Sequence, residues 1–474
     1  MEKTAKLKSF FKGSIVLIIS NVFLKAINFL LLPLYTKNLT PEMLGISDTI
    51  TSFTGLVFPI LVMGLDSAYS AFYFEEKKPD WPRKIFSTIF SVLIMMSLIP
   101  IIAIPWANRI SGVMFGNEKN SIVIILALIS VSLNLIYLPY TLEIRMQNRM
   151  TVYGIITVVV SFLMILLNIL FVSILKLGVY ALVLSTVIVY FIQLLLTMIC
   201  SRQHFSMAYI DVQLLKRMLT FSLPIVPTVV ATWVLNLSDR YIILHYWGEN
   251  EVGLYGIGSR FVSLVNVVIS AVSMAYTTFA YSNVSNPDAQ KQYSIVLNVI
   301  YIPLIGVAFI VAFFSREIVG IMAANSYSEA YRPICDMMFA QVIYGISTIT
   351  NYGIYFKKKS KYVFFSSLIA AIVNVILNIL FIPQYGISAA AATTLISYLL
   401  MFSINYLLAQ KLYPCDYGMK TIAISFILLY VIIRLFETSS LLIKIVTTII
   451  SAIITLWMFR NKIKEIIDSI LIQR

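Results

Sequence analysis

Charged side chains stand inside apolar runs of this sequence, among them Lys25, Asp48, Asp66, Asp239, Arg240 and Arg260. A charge at the centre of a lipid bilayer costs at least about 2.5–3.5 kcal/mol, so each of them asks for a reason. Cations can hold an anion in a low-dielectric passage, Arg as a planar fork and Lys as a point charge. Carboxylates such as Asp48, Asp66 and Asp239 can take up the H⁺ or Na⁺ that drives a movement. The plainer account is mutual neutralisation, with Lys25, Arg240 and Arg260 paired to aspartates to hold helices together. Asp239 and Arg240 are adjacent and point about 100° apart, so they do not naturally pair with each other and each wants a partner on another helix. Asp48, near the outer end of its run, reads more as a charge partner, whereas Asp66 stays open between the two roles. Glu143 and Asp336 fall near helix ends and are expected to snorkel to water.

The elements that must position these groups are membrane helices. Residues are 60% hydrophobic and 12% charged, against about 45–50% and about 25% in soluble domains, so the chain is an integral membrane protein. Apolar spans read as 14–36, 44–73, 84–108, 120–142, 152–175, 178–200, 217–247, 252–284, 292–315, 330–356, 362–383, 387–409, 421–436 and 443–459. They make an all-α fold of about fourteen transmembrane helices, or twelve if the last two short spans fail. In the first span Asn21, Lys25 and Asn28 share a side; in the second Asp48, Ser52, Gly55, Pro59 and Asp66 do. On a straight helix Asp48 and Asp66 would lie five turns and roughly 27 Å apart at one azimuth, with Pro59 able to kink the path between them. In the seventh span Trp233, Asn236 and Arg240 share a face, and in the eighth Gly256, Arg260, Ser263 and Ser270 do. Pro224 and Pro227 should break or bend the seventh span near its start.

Charge fixes the sidedness. With both termini placed in the cytoplasm, the cytoplasmic segments carry roughly three times as many Lys and Arg as the opposite ones. This bias accounts for the net charge of +14 without a nucleic-acid partner. The loops on both faces are short, and none is large enough for a catalytic domain. Cys200, Cys335 and Cys415 are far apart, and His204 and His245 have no ligand neighbours, so no disulfide framework, metal site or cofactor is expected. Gly253-Leu-Tyr-Gly256-Ile-Gly258 opens a membrane helix with no soluble strand before it, which points to close helix packing rather than a nucleotide loop.

An internal repeat organises the spans. Gly178 and Tyr190 correspond to Gly386 and Tyr398 at an offset of 208, and Leu44-Gly45-Ile46 corresponds to Val252-Gly253-Leu254 at the same offset. Asn168-Ile-Leu-Phe-Val and Asn378-Ile-Leu-Phe-Ile are 210 apart, and the basic loops Arg145…Arg149 and Lys357…Lys361 also correspond. The reading is two homologous six-helix halves, 1–205 and 206–410, with two further helices and a tail in 411–474. Even helix numbers give both halves one orientation, related by an axis along the membrane normal around a central cavity, which is a transporter architecture.

Pro224…Pro227, Asn236…Ser238-Asp239-Arg240-Tyr241-Ile242, Gly248…Val252-Gly253-Leu254-Tyr255 and Ser259-Arg260 resemble the central motif of bacterial polysaccharide flippases. Asn378-Ile-Leu-Phe-Ile-Pro383…Tyr385-Gly386-Ile387-Ser388-Ala389-Ala390 resembles their matching motif in helices eleven and twelve. The family is the Wzx-type flippase group of the MOP superfamily, alongside MATE exporters and the lipid II flippase MurJ. The resemblance implies a non-enzymatic transporter of the bacterial cytoplasmic membrane. It implies movement of undecaprenyl-diphosphate-linked oligosaccharide units between leaflets by alternating access, for O-antigen, capsule or exopolysaccharide synthesis. Under it, Lys25, Arg240 and Arg260, with Asn21 and Asn28, become lumen residues for the diphosphate or acidic sugars, and Asp48, Asp66 and Asp239 become coupling candidates for H⁺ or Na⁺. Its implied partners are the lipid-linked oligosaccharide, membrane lipid, and the polymerase and chain-length regulator of the same pathway. Two other readings stay open: a MATE-type cation-coupled drug exporter, whose cavity should be more acidic, and a membrane-embedded polymerase or ligase, which would want a large outer loop.

Overall fold

The computed structural model describes residues 29, 31–76, 78–203, 205–284 and 286–471. All regular elements among the described residues are helical, and ten of the helical segments are long and apolar enough to cross a membrane. Helices satisfy every backbone hydrogen bond within the segment, as lipid requires. The chain divides into two compact units, Met1–Gly253 and Leu254–Arg474.

The first unit contains α1 (Leu32–Asn38), α2 (Pro41–Val62), α3 (Leu65–Phe72), α4 (Trp81–Ile102), α5 (Ala107–Phe115), α6 (Ser121–Met146), α7 (Met150–Ile169), α8 (Tyr180–Cys200), α9 (Val212–Ser222), α10 (Val226–Leu237) and the start of α11 (Asp239–Asn283). Helix α6 packs against α8, α4 and α2. Its C-terminal half meets a core of Leu65, Tyr69, Phe86, Phe90, Leu135 and Tyr140. Helix α2 starts sharply because Thr40 caps it, accepting from the Met43 N–H, and Pro41 opens its first turn.

Pro59 does not end α2. The helix runs on to Val62 and stops at Met63 (φ 54°) and Gly64 (φ 69°), two consecutive left-handed residues. Gly64 is needed twice over there, since a Cβ would also stand 2.8 Å from the Ser222 carbonyl oxygen. The straight path from Asp48 to Asp66 therefore does not exist: Asp66 belongs to the first turn of the separate α3. The proline pair at 224 and 227 acts as expected, with a 3₁₀ turn over Leu223–Ile225 between α9 and α10.

The second unit continues α11 and adds α12 (Ala289–Phe313), α13 (Ser315–Met322), α14 (Ile334–Thr350), α15 (Tyr352–Tyr355), α16 (Lys361–Leu412), α17 (Met419–Phe436), α18 (Leu441–Met458) and α19 (Arg460–Leu471). Helix α14 packs against α16 and α12. The two short final spans are thus helices, and buried charges tie both to this unit. Arg434 of α17 bonds both carboxylate oxygens of Asp336, at 2.6 and 2.7 Å. Lys444 of α18, 1% exposed, bonds Glu317 at 2.7 Å and the Phe313 carbonyl at 3.1 Å.

Two of the long helices are broken at a glycine. Gly248 interrupts α11 and Gly386 interrupts α16, so each is a pair of helices joined at a tight bend. Gly386 and its partner Gly178 both have φ 59°, and in the basic loops Asn148 (φ 60°) matches Lys358 (φ 54°). The repeat asparagines are both buried but bonded differently. Asn168 donates to the Tyr35 hydroxyl at 2.9 Å, while Asn378 donates to Asn374 at 3.0 Å and accepts from Thr393.

Candidate functional site

Lys25, Asn21 and Asn28 lie outside the described residues. The other singled-out groups fall on α2, α3 and α11. Asp48 is half-buried on α2, and Asp66 is exposed at the start of α3. Asp239 and Arg240 are buried, at 3% and 9% exposure, where α11 begins. Arg260 is half-buried on α11, and Ser263 donates to its carbonyl at 2.7 Å.

Asp239 and Arg240 do meet each other, against the expectation from their azimuths. Asp239 begins a new helix and turns its carboxylate back onto the following backbone, accepting from the Arg240 N–H at 2.9 Å. The Arg240 guanidinium folds over the previous turn, donating to the Asn236 carbonyl at 3.2 Å and approaching Asp239 Oδ1 to 3.8 Å. A helix start lets a short acidic side chain cap its own neighbour, which an azimuth argument for a continuous helix does not include. The charges of this motif are locally engaged.

Around this pair, α2 and α10 pack through the polar faces read from sequence. Trp233 donates from Nε1 to the Ser52 carbonyl at 3.0 Å, and a Cβ on Gly55 would touch the same indole at 3.7 Å. Trp233 and Tyr241 lie 5.9 Å apart. Beside them opens a groove of about 570 Å³ lined by Phe53, Trp106, Arg109, Trp233 and Tyr241 among others. Sequence reasoning assigned Trp233 to a helix face but missed Trp106 and Arg109. They lie on a different segment, and their only sequence signal is an aromatic at the end of an apolar run and a cation just past it.

One very close helix contact is reciprocal. A Cβ at Gly45 would stand 1.7 Å from the Glu249 carbonyl oxygen, and one at Gly253 would stand 1.9 Å from the Pro41 carbonyl oxygen. The offset of 208 that relates Gly45 to Gly253 also relates Pro41 to Glu249. Each partner thus makes the other's contact, as a two-fold axis through the crossing requires. Only glycine permits backbones this close. The run from Gly253 to Gly258 serves packing as expected: at Gly258 a Cβ would lie 3.1 Å from the Pro333 ring.

Glu143 and Asp336 depart from expectation. Neither snorkels: they are 0% and 1% exposed. Tyr69 and Tyr73 bond the Glu143 carboxylate, as does Gln147, and Asp336 is bonded by Arg434 and Tyr430. Buried donors close by outcompete water, and those donors come from segments distant in sequence. Among the described residues no group of three or more His, Cys, Asp or Glu could hold a metal ion.

These helices define a multi-pass membrane protein with the fold of MOP-superfamily transporters. The structure is similar to the lipid II flippase MurJ in an inward closed conformation, at TM-score 0.69 and 16% identity over 96% of this chain and 98% of that one. It is also similar to a multidrug resistance MATE family transporter of the MOP superfamily in its inward-facing conformation, at TM-score 0.66 and 13% identity over 83% of this chain and 94% of that one. The outward-facing MATE conformation aligns at TM-score 0.60 and 12% identity, covering 84% and 95%. At such identities the likeness is one of fold. No curated protein matches the sequence. The polysaccharide biosynthesis protein family matches residues 36–332, more than half of the chain, and the chain belongs to that family.

Proposed function

We propose that this protein is a flippase that moves undecaprenyl-diphosphate-linked oligosaccharide units across the cytoplasmic membrane for surface polysaccharide synthesis. The observation that carries this reading is membership of a polysaccharide biosynthesis family on a fold shared with a lipid II flippase. The reciprocal glycine crossing supports an internal repeat. In this reading the halves are bounded near 205 and 410 and work by alternating access. The short loops favour transport over polymerase or ligase chemistry. Both termini face the cytoplasm in this reading, as the Lys and Arg bias requires.

Lys25 and Arg260 meet the diphosphate or acidic sugars, with Arg240, Asn21 and Asn28 in support. Asp66, Asp239 and Asp48 are the candidates for H⁺ or Na⁺ coupling. The Arg240 guanidinium already bonds Asn236 and approaches Asp239, so in this reading it supports rather than leads.

Deletion of the gene tests the reading. Surface polysaccharide should disappear while lipid-linked repeat units accumulate on the inner leaflet. Normal polysaccharide with altered drug sensitivity would overturn it in favour of a MATE-type exporter. Lys25→Ala and Arg260→Ala should abolish export while the protein stays inserted and abundant; loss of the protein instead would assign these residues to structure.

A further inference from the structure

Glu143 lies in the last turn of α6, where the carbonyls of a helix end make a poor setting for negative charge. Its Oε2 accepts from the Tyr69 hydroxyl. Its Oε1 accepts from the Tyr73 hydroxyl at 3.1 Å and from Gln147 Nε2 at 2.6 Å. Among the described residues no cation pairs with it. Of the basic side chains on the surrounding elements, Arg83 lies over the Tyr209 ring, Lys84 pairs with Asp211, Arg145 lies over the Tyr153 ring, Arg149 bonds the Cys200 carbonyl and Arg217 pairs with Glu75, while Lys216 of α9 is exposed. Tyr190 of α8 packs edge-on to Tyr137. The titratable groups bonded to the carboxylate are Tyr69 and Tyr73, at the end of α3.

The site is built for two protonation states. As a carboxylate, Glu143 uses three neutral donors. Gln147 Oε1 is buried and has no hydrogen-bond partner. Turning the Gln147 amide over would place that oxygen where Nε2 now stands, ready to accept an O–H from Glu143 Oε1. The same proton turns the Tyr73 bond from charge-assisted to neutral, about halving its strength. Tyr73 is the C-terminal cap of α3, and α3 is entered through the left-handed pair Met63–Gly64. This short helix follows α2 through that left-handed turn, packs into the core through Leu65 and Ala68, and is bonded to α6 by the two tyrosines.

We propose that Glu143 is a proton-binding site whose occupancy sets how firmly α3 is held on α6. The step is simple: a proton from water forms an O–H bond at Glu143 Oε1, the carboxylate charge disappears, and the tyrosine latch loosens. It is independent of what the protein transports, so a failed flippase assay leaves it standing.

Difference infrared spectroscopy of the full chain in lipid nanodiscs, titrated in pH, reads the carboxylic C=O directly. One buried carboxylic band should grow as pH falls and should vanish in Glu143→Gln. In Tyr73→Phe the carboxylate loses a donor, so the midpoint should rise by about one to two pH units. Spin labels at Ser70→Cys on α3 and Gln213→Cys on α9, with the three native cysteines replaced by Ala, should report a distance that changes with pH. In Glu143→Gln that distance should stay fixed. A band that survives Glu143→Gln, or a label distance that still follows pH in that variant, would overturn the proposal. Should Glu143→Gln fail to fold, Tyr73→Phe decides alone: an unmoved midpoint contradicts the site.

Discussion

Glu143 and Asp336 are both fully buried carboxylates near the ends of membrane helices, yet their settings are opposite. Asp336 sits in the first turn of α14, where the helix end favours a negative charge, and Arg434 bonds both of its oxygens with Tyr430 beside it. Glu143 sits in a last turn and has only neutral donors. The first arrangement fixes a charge and clasps α17 to α14. The second tolerates a charge and can give it up. Burial alone does not assign a role to an ionisable group; the helix end and the kind of partner do.

Breaking the clasp from its two sides should sharpen this contrast. Arg434→Ala strands a 1% exposed carboxylate and should cost about 3–5 kcal/mol, read by thermal unfolding in detergent. Asp336→Ala strands Arg434, whose side chain is 37% exposed and can reach water, so the loss should be nearer about 1–2 kcal/mol. Equal losses would mean that the buried carboxylate is not what makes the clasp costly to break. Glu143→Gln keeps the volume and one acceptor oxygen, and its new NH2 can donate to Gln147 Oε1 once the Gln147 amide turns over, so it should cost about 1 kcal/mol or less by the same measurement. A loss as large as that of Arg434→Ala would make Glu143 a clasp as well.

The smallest effect belongs to an interfacial carboxylate. Asp211 caps α9, accepting from the Leu214 N–H at 2.9 Å, and pairs with Lys84 at 2.6 Å. Its carboxyl is held below the usual carboxylate range, first by the Lys84 bond and then by the Leu214 N–H. A depressed value in the folded state means that the stabilisation is present above about pH 4 and fades as pH falls through the folded value. Asn caps a helix about as well as Asp, so Asp211→Asn should cost only about a few tenths of a kcal/mol near neutral pH. It should also remove this contribution to acid sensitivity, seen as a flatter dependence of melting temperature on pH.

Much of the architecture was legible in the sequence, because lipid leaves few options: a long apolar run must be a helix. The proline break near 224, the bend at Gly248 and the two short final helices all follow from composition and local chemistry. The offset of 208 links Gly45 with Gly253, but that their backbones cross is set by tertiary packing, which the offset does not give. The stop at Met63–Gly64 was masked by the more conspicuous Pro59, because a proline four residues before a helix end need not be what ends it. The partners of Glu143 and Asp336 could not be read, since Tyr69, Tyr73 and Arg434 come together with them only through tertiary packing. Asp239–Arg240 misled because its azimuths were drawn on a continuous helix, and α11 begins at Asp239.

The most direct test of the account is reconstitution. Purified protein in liposomes containing undecaprenyl-diphosphate-linked oligosaccharide should bring the inner-leaflet lipid to the outer leaflet, where a membrane-impermeant glycosidase or lectin can reach it. The expected result is that the accessible fraction rises from the outer-leaflet share towards completion, and that Arg260→Ala liposomes stay at the starting share. An accessible fraction identical to that of protein-free liposomes, with the protein folded and correctly inserted, would contradict the account.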